Sequence, residues 1–251
     1  AAFGYEALYS NTSGNYNIGL GITALGANTT GDNNVAIGRL ALTGNTTADN
    51  NTAVGYQSLT GNTTGNNNTA VGKDSLSRNT TGIEGTAVGM NALDHNTTGT
   101  ANTAVGYAAV TAVSTGSYNT GVGRASLASV TTSNYNTGLG AYSLVVTTTG
   151  AENIAVGYQA LATNVTGNYN TALGTQAMRY NTASNNTAVG TAALYTNSSG
   201  AGNTAVGRSA LKLTTTGANN VAMGYNALES NTTGASNVAV GGDSLQANTT
   251  G

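Results

Sequence analysis

The sequence predicts an all-β protein, a parallel β-solenoid or β-roll of fifteen 17-residue coils running as a single repeat array through residues 1–251. Three observations carry that expectation. A glycine preceded by an apolar residue recurs fifteen times from Gly4 to Gly241, always 17 residues on except for one step of 16, Gly174 to Gly190. Each position around that glycine keeps its own size rule, which a disordered Gly/Asn/Thr-rich chain has no reason to do. The stretch before the glycine alternates large and small with the period of a strand.

The unit Asn51 to Asn67 represents the rest. Its first part, Asn51-Thr52-Ala53-Val54-Gly55, places Thr52 and Val54 on one face and Asn51, Ala53 and Gly55 on the other, as a short strand does. Position 54 is Val, Leu, Ile, Met or Phe in its equivalents, and position 53 is only Ala or Gly. A second short extended piece is expected at Ser58-Leu59, where Ala or Ser is followed by Leu, with Val110 and Met178 as the substitutes. The run Asn62-Thr63-Thr64-Gly65 then supplies turn residues, which accept unusual backbone angles or hydrogen-bond their own backbone. Helix fits poorly, because Thr and Asn are weak helix formers and the apolar positions do not continue at a 3.6 spacing. Antiparallel hairpins fit poorly too, since the chain has no Asn-Gly or Asp-Gly dipeptide.

Stacked coils lie about 4.8 Å apart, so fifteen of them predict a rod roughly 70 Å long. Thirteen of the fourteen residues equivalent to Asn51, from Asn17 to Asn237, are Asn, with Gly85 the exception. Their amides are expected to stack into a ladder that satisfies buried backbone groups. Val54 and Leu59 supply most of the apolar area, about 1.5 to 3 kcal/mol each if fully buried. Two such residues in seventeen make a thin core, and the strand is apolar on both faces. The expectation is a homo-oligomer in which chains share their Val and Leu faces.

Composition excludes several function classes. Only 6% of residues are charged and the net charge is −2, so no basic stripe exists for nucleic acid or anionic lipid. There is no cysteine, hence no disulfide, thiolate metal site or cysteine nucleophile. No apolar run approaches the roughly 20 residues of a membrane helix, and no signal-peptide pattern opens the chain. It begins Ala1-Ala2-Phe3 without Met, as a processed product or a piece of something longer does.

Chemistry needs unlike residues gathered in one place, and this chain repeats like residues everywhere. His95 is the sole histidine and is expected in a solvated loop, without partners for a metal centre or a triad. The carboxylates, among them Asp32, Asp49, Asp74, Asp94 and Glu229, fall at differing offsets and form no repeated calcium loop. No catalytic, cofactor-binding or metal-binding residue, and no cofactor, is therefore expected. Two weaker candidates stand out. Tyr5, Tyr56, Tyr107 and Tyr158 follow the repeat glycine at intervals of three repeats, Tyr225 takes the same offset later, and such rings can form a row for stacking on glycans. Arg39, Arg124 and Arg208 share the offset, which marks it as exposed and permissive. Asn28, Asn45, Asn62, Asn79, Asn96, Asn231 and Asn248 each begin Asn-Thr-Thr, a formal N-glycosylation acceptor that turn chemistry explains equally well.

The Thr-Ala-Val-Gly core of Thr52 to Gly55, Thr69 to Gly72, Thr103 to Gly106 and Thr204 to Gly207, followed three residues on by Ala or Ser, resembles the head repeats of trimeric autotransporter adhesins. It is similar also to the repetitive shafts of phage tail fibres. The resemblance covers the whole chain and implies a left-handed parallel β-roll, three chains about one axis, displayed on a cell or virion surface outside the cell. The 17-residue period is longer than the usual head repeat, and no coiled-coil stalk, anchor or chaperone domain is recognisable. The function this implies is a non-enzymatic structural fibre or adhesin segment, a spacer that presents or makes contacts with a host receptor or glycan. The array starts and stops within the repeat grammar, so end-to-end assembly into filaments is a related expectation. The alternative is an ice-binding solenoid, against which stand the replacements of the strand threonine by Ile18, Val35, Ile154, Val221 and Val238. The adjacent Thr63 and Thr64 also cannot both face one side of a strand.

Overall fold

A computed structural model describes all 251 residues and divides them into two compact units, residues 1–125 with 129–132, and residues 126–128 with 133–251. In the first unit, strands β1 (Ala2–Phe3) to β8 (Thr120–Val122) pair in chain order, all parallel. In the second, β9 (Thr137–Leu139) to β15 (Val238–Val240) do the same. Partners are repeat equivalents: in β4 (Thr52–Val54), Thr52 pairs with Thr69, Ala53 with Ala70 and Val54 with Val71. The 16-residue step loses no register, since Thr171 pairs with Thr187 and Leu173 with Val189. Each repeat is thus one coil of a β-solenoid, as the periodicity predicts.

Backbone hydrogen bonds bind each coil to both neighbours. Thr52 N–H donates to the Asn68 carbonyl one coil on, and Gly55 N–H to the Ile37 carbonyl one coil back, both at 2.8 Å. At the first corner Gln57 N–H reaches back to Arg39 (3.1 Å), whereas Leu59 N–H reaches on to Ser75 (2.9 Å). This alternation requires left-handed backbone at Gln57 (φ 55°) and Leu59 (φ 53°), and it recurs at their equivalents along both stacks. The expected second extended piece at Ser58-Leu59 is therefore a corner rather than a strand. Left-handed angles cost an L-residue roughly 1–2 kcal/mol. Complete burial of Leu59, worth about 2–3 kcal/mol, and its coil-to-coil hydrogen bonds offset that cost.

The core of each coil is small and sharply sorted. Ala53, Ser58, Leu59, Asn51 and Asn62 are wholly buried, whereas Thr52 and Val54 are half-exposed. The Ala face of the strand therefore closes the coil and the Thr/Val face points outward. Leu59 lies inside its own coil, which corrects the expectation that Leu contributes to a face shared between chains. Gly55 adopts φ 134°, and a Cβ there would lie 2.6 Å from the Gly72 carbonyl oxygen, so only glycine fits this close approach of coils.

Two asparagine ladders line the interior where one was expected. In the first, Asn34 Oδ1 accepts the Asn51 N–H (2.9 Å) while Asn34 Nδ2 donates to the Ala48 carbonyl (2.8 Å). The second runs through Asn11, Asn28, Asn45, Asn62, Asn79 and Asn96, each Nδ2 from Asn28 on donating to Oδ1 one coil back at 2.7–3.0 Å. It gives way to buried Val113 and Val130 in the first unit and is interrupted by Thr147 and Thr214 in the second.

Candidate functional site

Four columns of more exposed residues, at the offsets of Asn50, Thr52, Val54 and Tyr56, accompany the strand; Asn51 and Ala53 between them are buried, and Gly55 before Tyr56 is half-buried. The two central columns are apolar or methyl-bearing. In the first unit Ile37, Val71, Val88 and Val122 remain 36–37% exposed, and in the second Leu139, Ile154 and Met223 are 37–43% exposed. A row of β-branched and aliphatic residues repeated in every coil, backed by a wall of Ala, is an unpartnered apolar sheet face on each unit.

Tyr56 (37% exposed), Tyr107 and Tyr158 lie at the rim of this face. The Arg39 guanidinium sits over the Tyr56 ring at 5.7 Å from its centroid, Arg124 over Tyr107 at 5.8 Å, and Arg208 over Tyr225 at 5.8 Å. Tyr158 meets Tyr142 edge-on, with centroids 6.2 Å apart. Arginine and tyrosine at one offset are thus cation–π partners from adjacent coils. A sugar stacking on Tyr56 or Tyr107 finds one face of the ring already covered. At the exposed first coil, the Tyr5 phenol is held above its ordinary pKa by a hydrogen bond with Glu6 and by that carboxylate's charge.

The Asn-Thr-Thr asparagines prove to be the second ladder. Asn28, Asn45, Asn62, Asn79, Asn96 and Asn231 are wholly buried, and Asn248 is half-buried. The nitrogen to which an N-glycan is joined, Nδ2, lies inside the coil and donates to the carbonyl three residues on, as in Asn62 to Gly65 at 2.9 Å. In the folded coil six of these seven acceptors are closed to a sugar. Sequence reasoning missed their burial because Asn-Thr-Thr-Gly has the composition of a solvated turn. The signal that marks them is their exchange for Val113 and Val130, substitutions that a solvated turn position does not require.

The carboxylates serve the stacking. Asp32 Oδ1 accepts the Asn15 N–H (2.6 Å) and Asp49 Oδ1 the Asp32 N–H (2.7 Å), while Glu229 takes Gln246 Nε2 (3.0 Å) and faces Lys212 (3.7 Å). Asp74 pairs with Lys73 at 3.3 Å. Nowhere do three His, Asp or Glu side chains come together as a metal would need. The structure does gather Ser77, Asp94 and His95: Ser77 donates its hydroxyl to Asp94 Oδ1, and Asp94 Oδ2 lies 3.3 Å from His95 Nδ1. The order is wrong for nucleophilic catalysis, which needs imidazole between hydroxyl and carboxylate so that the serine proton has a base to go to. Here the carboxylate stands in the middle, bonded to the Ser77 hydroxyl, while His95 Nδ1 makes no hydrogen bond.

Compared with protein-family models and with curated proteins, the chain matches none.

Proposed function

We propose that this chain is a structural fibre or adhesin segment, a rod-like trimeric spacer displayed outside the cell or on a virion. The observation that carries the reading is the outward Thr/Val face: the coil of residues 51–67, like most others, closes on Ala53, Leu59 and two asparagines, yet leaves an aliphatic row uncovered on the same sheet. Covering one half-exposed Val yields about 1 kcal/mol, hence on the order of 10 kcal/mol over a stack of seven or eight coils. Association costs about 4–15 kcal/mol, so many coils must dock together before the gain prevails. A long repeat array with one uniform face meets that need. Three copies joined through this face, the number implied by the resemblance to adhesin heads, turn the polar loops outward. Such loops suit weak, multivalent contact with a host surface. The proposed role is mechanical and involves no catalysis.

Sedimentation of the intact chain tests the proposal. The expected species is a trimer, and Val105→Asp combined with Val122→Asp, which puts charge into adjacent coils of the face, is expected to dissociate it. A stable, folded monomer of the parent chain overturns the shared-face reading.

One observation favours ice binding as a second reading. Thr30, Thr47, Thr64, Thr81, Thr98 and Thr115 form an exposed column of threonines in the first unit. It is a single column, because the neighbouring Thr63 donates its hydroxyl to the Thr80 carbonyl at 2.9 Å. Shaping of ice crystals by the purified chain decides in its favour, and its absence leaves the fibre reading alone.

A further inference from the structure

We infer that the 16-residue coil is a built-in yield point, where the turn face of the stack opens first while the strand face stays paired. On the turn face, the residue equivalent to Thr63 normally makes two bonds to one carbonyl of the next coil, one from N–H and one from its hydroxyl, and the following N–H often adds a third. In the second unit, Thr215 N–H (2.9 Å), Thr216 N–H (3.2 Å) and the Thr215 hydroxyl (3.1 Å) all donate to the Thr232 carbonyl. At the junction with the short coil the pattern fails. The equivalent residues are Val165 and Thr166, and neither N–H donates to the Thr182 carbonyl. Val165 also has no hydroxyl, and it is the one residue in that column, from Thr12 to Thr249, that lacks one.

The interior ladder breaks at the same place. Because the short coil has one residue fewer between Asn181 and Asn186, Asn181 Nδ2 donates to Ala183 only two residues on (2.8 Å) and not to Asn164. Asn164 Oδ1 is left buried without a donor. One coil further on, Asn197 Nδ2 again reaches Asn181 Oδ1 at 2.6 Å, so the ladder resumes. Thr182 N–H makes no bond to the following coil either, although its hydroxyl donates to the Ser198 carbonyl.

On its other two sides the short coil stays bonded to its neighbours. Ile154 N–H donates to Asn170 and Thr171 N–H to Asn186, at 2.8 and 2.9 Å. Leu161 N–H donates to Ala177 and Thr163 N–H to Arg179, at 2.9 and 3.0 Å. Towards the following coil, Tyr180 meets Tyr195 edge-on at 5.1 Å, and within the short coil Arg179 lies over the Tyr180 ring at 5.0 Å. The missing inter-coil bonds thus all fall on one side, which is the arrangement of a hinge: the turn side opens about a closed strand side. Local openings of lower free energy than global unfolding arise where backbone hydrogen bonds are few.

Amide hydrogen exchange of the full chain, resolved by residue, tests this. Val165 and Thr166 are expected to exchange at least about tenfold faster than Thr215 and Thr216, their equivalents in the same unit, since one or two lost hydrogen bonds correspond to about that ratio. Ile154 and Thr171, on the strand side of the junction, should stay as protected as Thr204 and Val221. Inserting Thr between Thr182 and Ala183, together with Val165→Thr, should restore protection at 165 and 166. Equal protection of the two turn pairs in the parent chain overturns the inference without any variant. So does fast exchange on the strand side, or a folded insertion variant whose exchange at 165 and 166 is unchanged.

Discussion

Asn62 Nδ2 donates at once to Asn45 Oδ1 one coil back, at 3.0 Å, and to the Gly65 carbonyl of its own turn, at 2.9 Å. One buried amide thereby fixes both the shape of a turn and its distance from the next. Asn62→Asp keeps the shape and replaces the donor by an acceptor, so that buried oxygens face each other. The expected loss is about 3 kcal/mol or more at neutral pH, read from denaturant or thermal unfolding. Asn62→Val, which copies Val113 and Val130 at the same offset, takes partners from Asn45 Oδ1, the Gly65 carbonyl and Asn79 Nδ2 but should cost less than Asn62→Asp, because it buries no charge.

Gly55 allows the corner after the strand to approach the next coil. Gly55→Ala combines a backbone angle that L-residues avoid with a Cβ 2.6 Å from the Gly72 carbonyl oxygen, so the coils must separate locally. A loss of about 3 kcal/mol or more is expected, against less than about 1 kcal/mol for Thr64→Ala on the exposed turn. Equal melting temperatures for the two variants would falsify this account of the corner.

The period, the strand and its partners were legible in the sequence because stacked coils require like residues at like positions, and a period of 17 displays that directly. The outward Val face was legible, because alternation sets Thr52 and Val54 opposite Asn51 and Ala53, and only the small residue lets a thin coil close. The place of Leu59 was not. Expected with Val54 on the shared face, it is wholly buried inside its own coil beside Ala53. Its left-handed backbone was hidden too. Leucine is a poor choice for that backbone angle on local grounds, and only the tertiary demand for alternate hydrogen bonding imposes it. The acidic residues could be recognised as scattered, but their acceptance of backbone N–H groups from adjacent coils depends on stacking geometry that spacing along the chain does not contain.

Because Asp32, Asp49 and Glu229 already accept hydrogen bonds between coils, calcium has no preorganised set of free oxygens to bind. A ligand stabilises only by preferring the native state, so melts with millimolar calcium and with a chelator are expected to coincide within about 1 °C. A rise of several degrees with calcium would show that these oxygens leave the stack to hold a metal.

Deletion of one whole coil is the sharpest test of the stacking itself. Removing Asn51 to Asn67 joins Asn50 to Asn68 and brings Asn45 beside Asn79, so the second ladder closes again and the strand before the gap meets its next equivalent in register. The new neighbours on the outside include Arg39 and Lys73, two cations where Tyr56 stood between them, an exposed mismatch worth less than about 1 kcal/mol and weakened by salt. The variant should fold with nearly the parent's stability and measure about 4.8 Å shorter along the stack by electron microscopy or small-angle scattering. Removing only Asn51 to Ser58 takes out β4 and its corner, leaves Leu59 where a strand must begin, and breaks the first asparagine ladder and the Ala wall together. That chain should lose cooperative unfolding, seen by circular dichroism. If both deletions were tolerated alike, registered coils would not be what holds the chain together, because only a register-dependent stack distinguishes a whole coil from half of one.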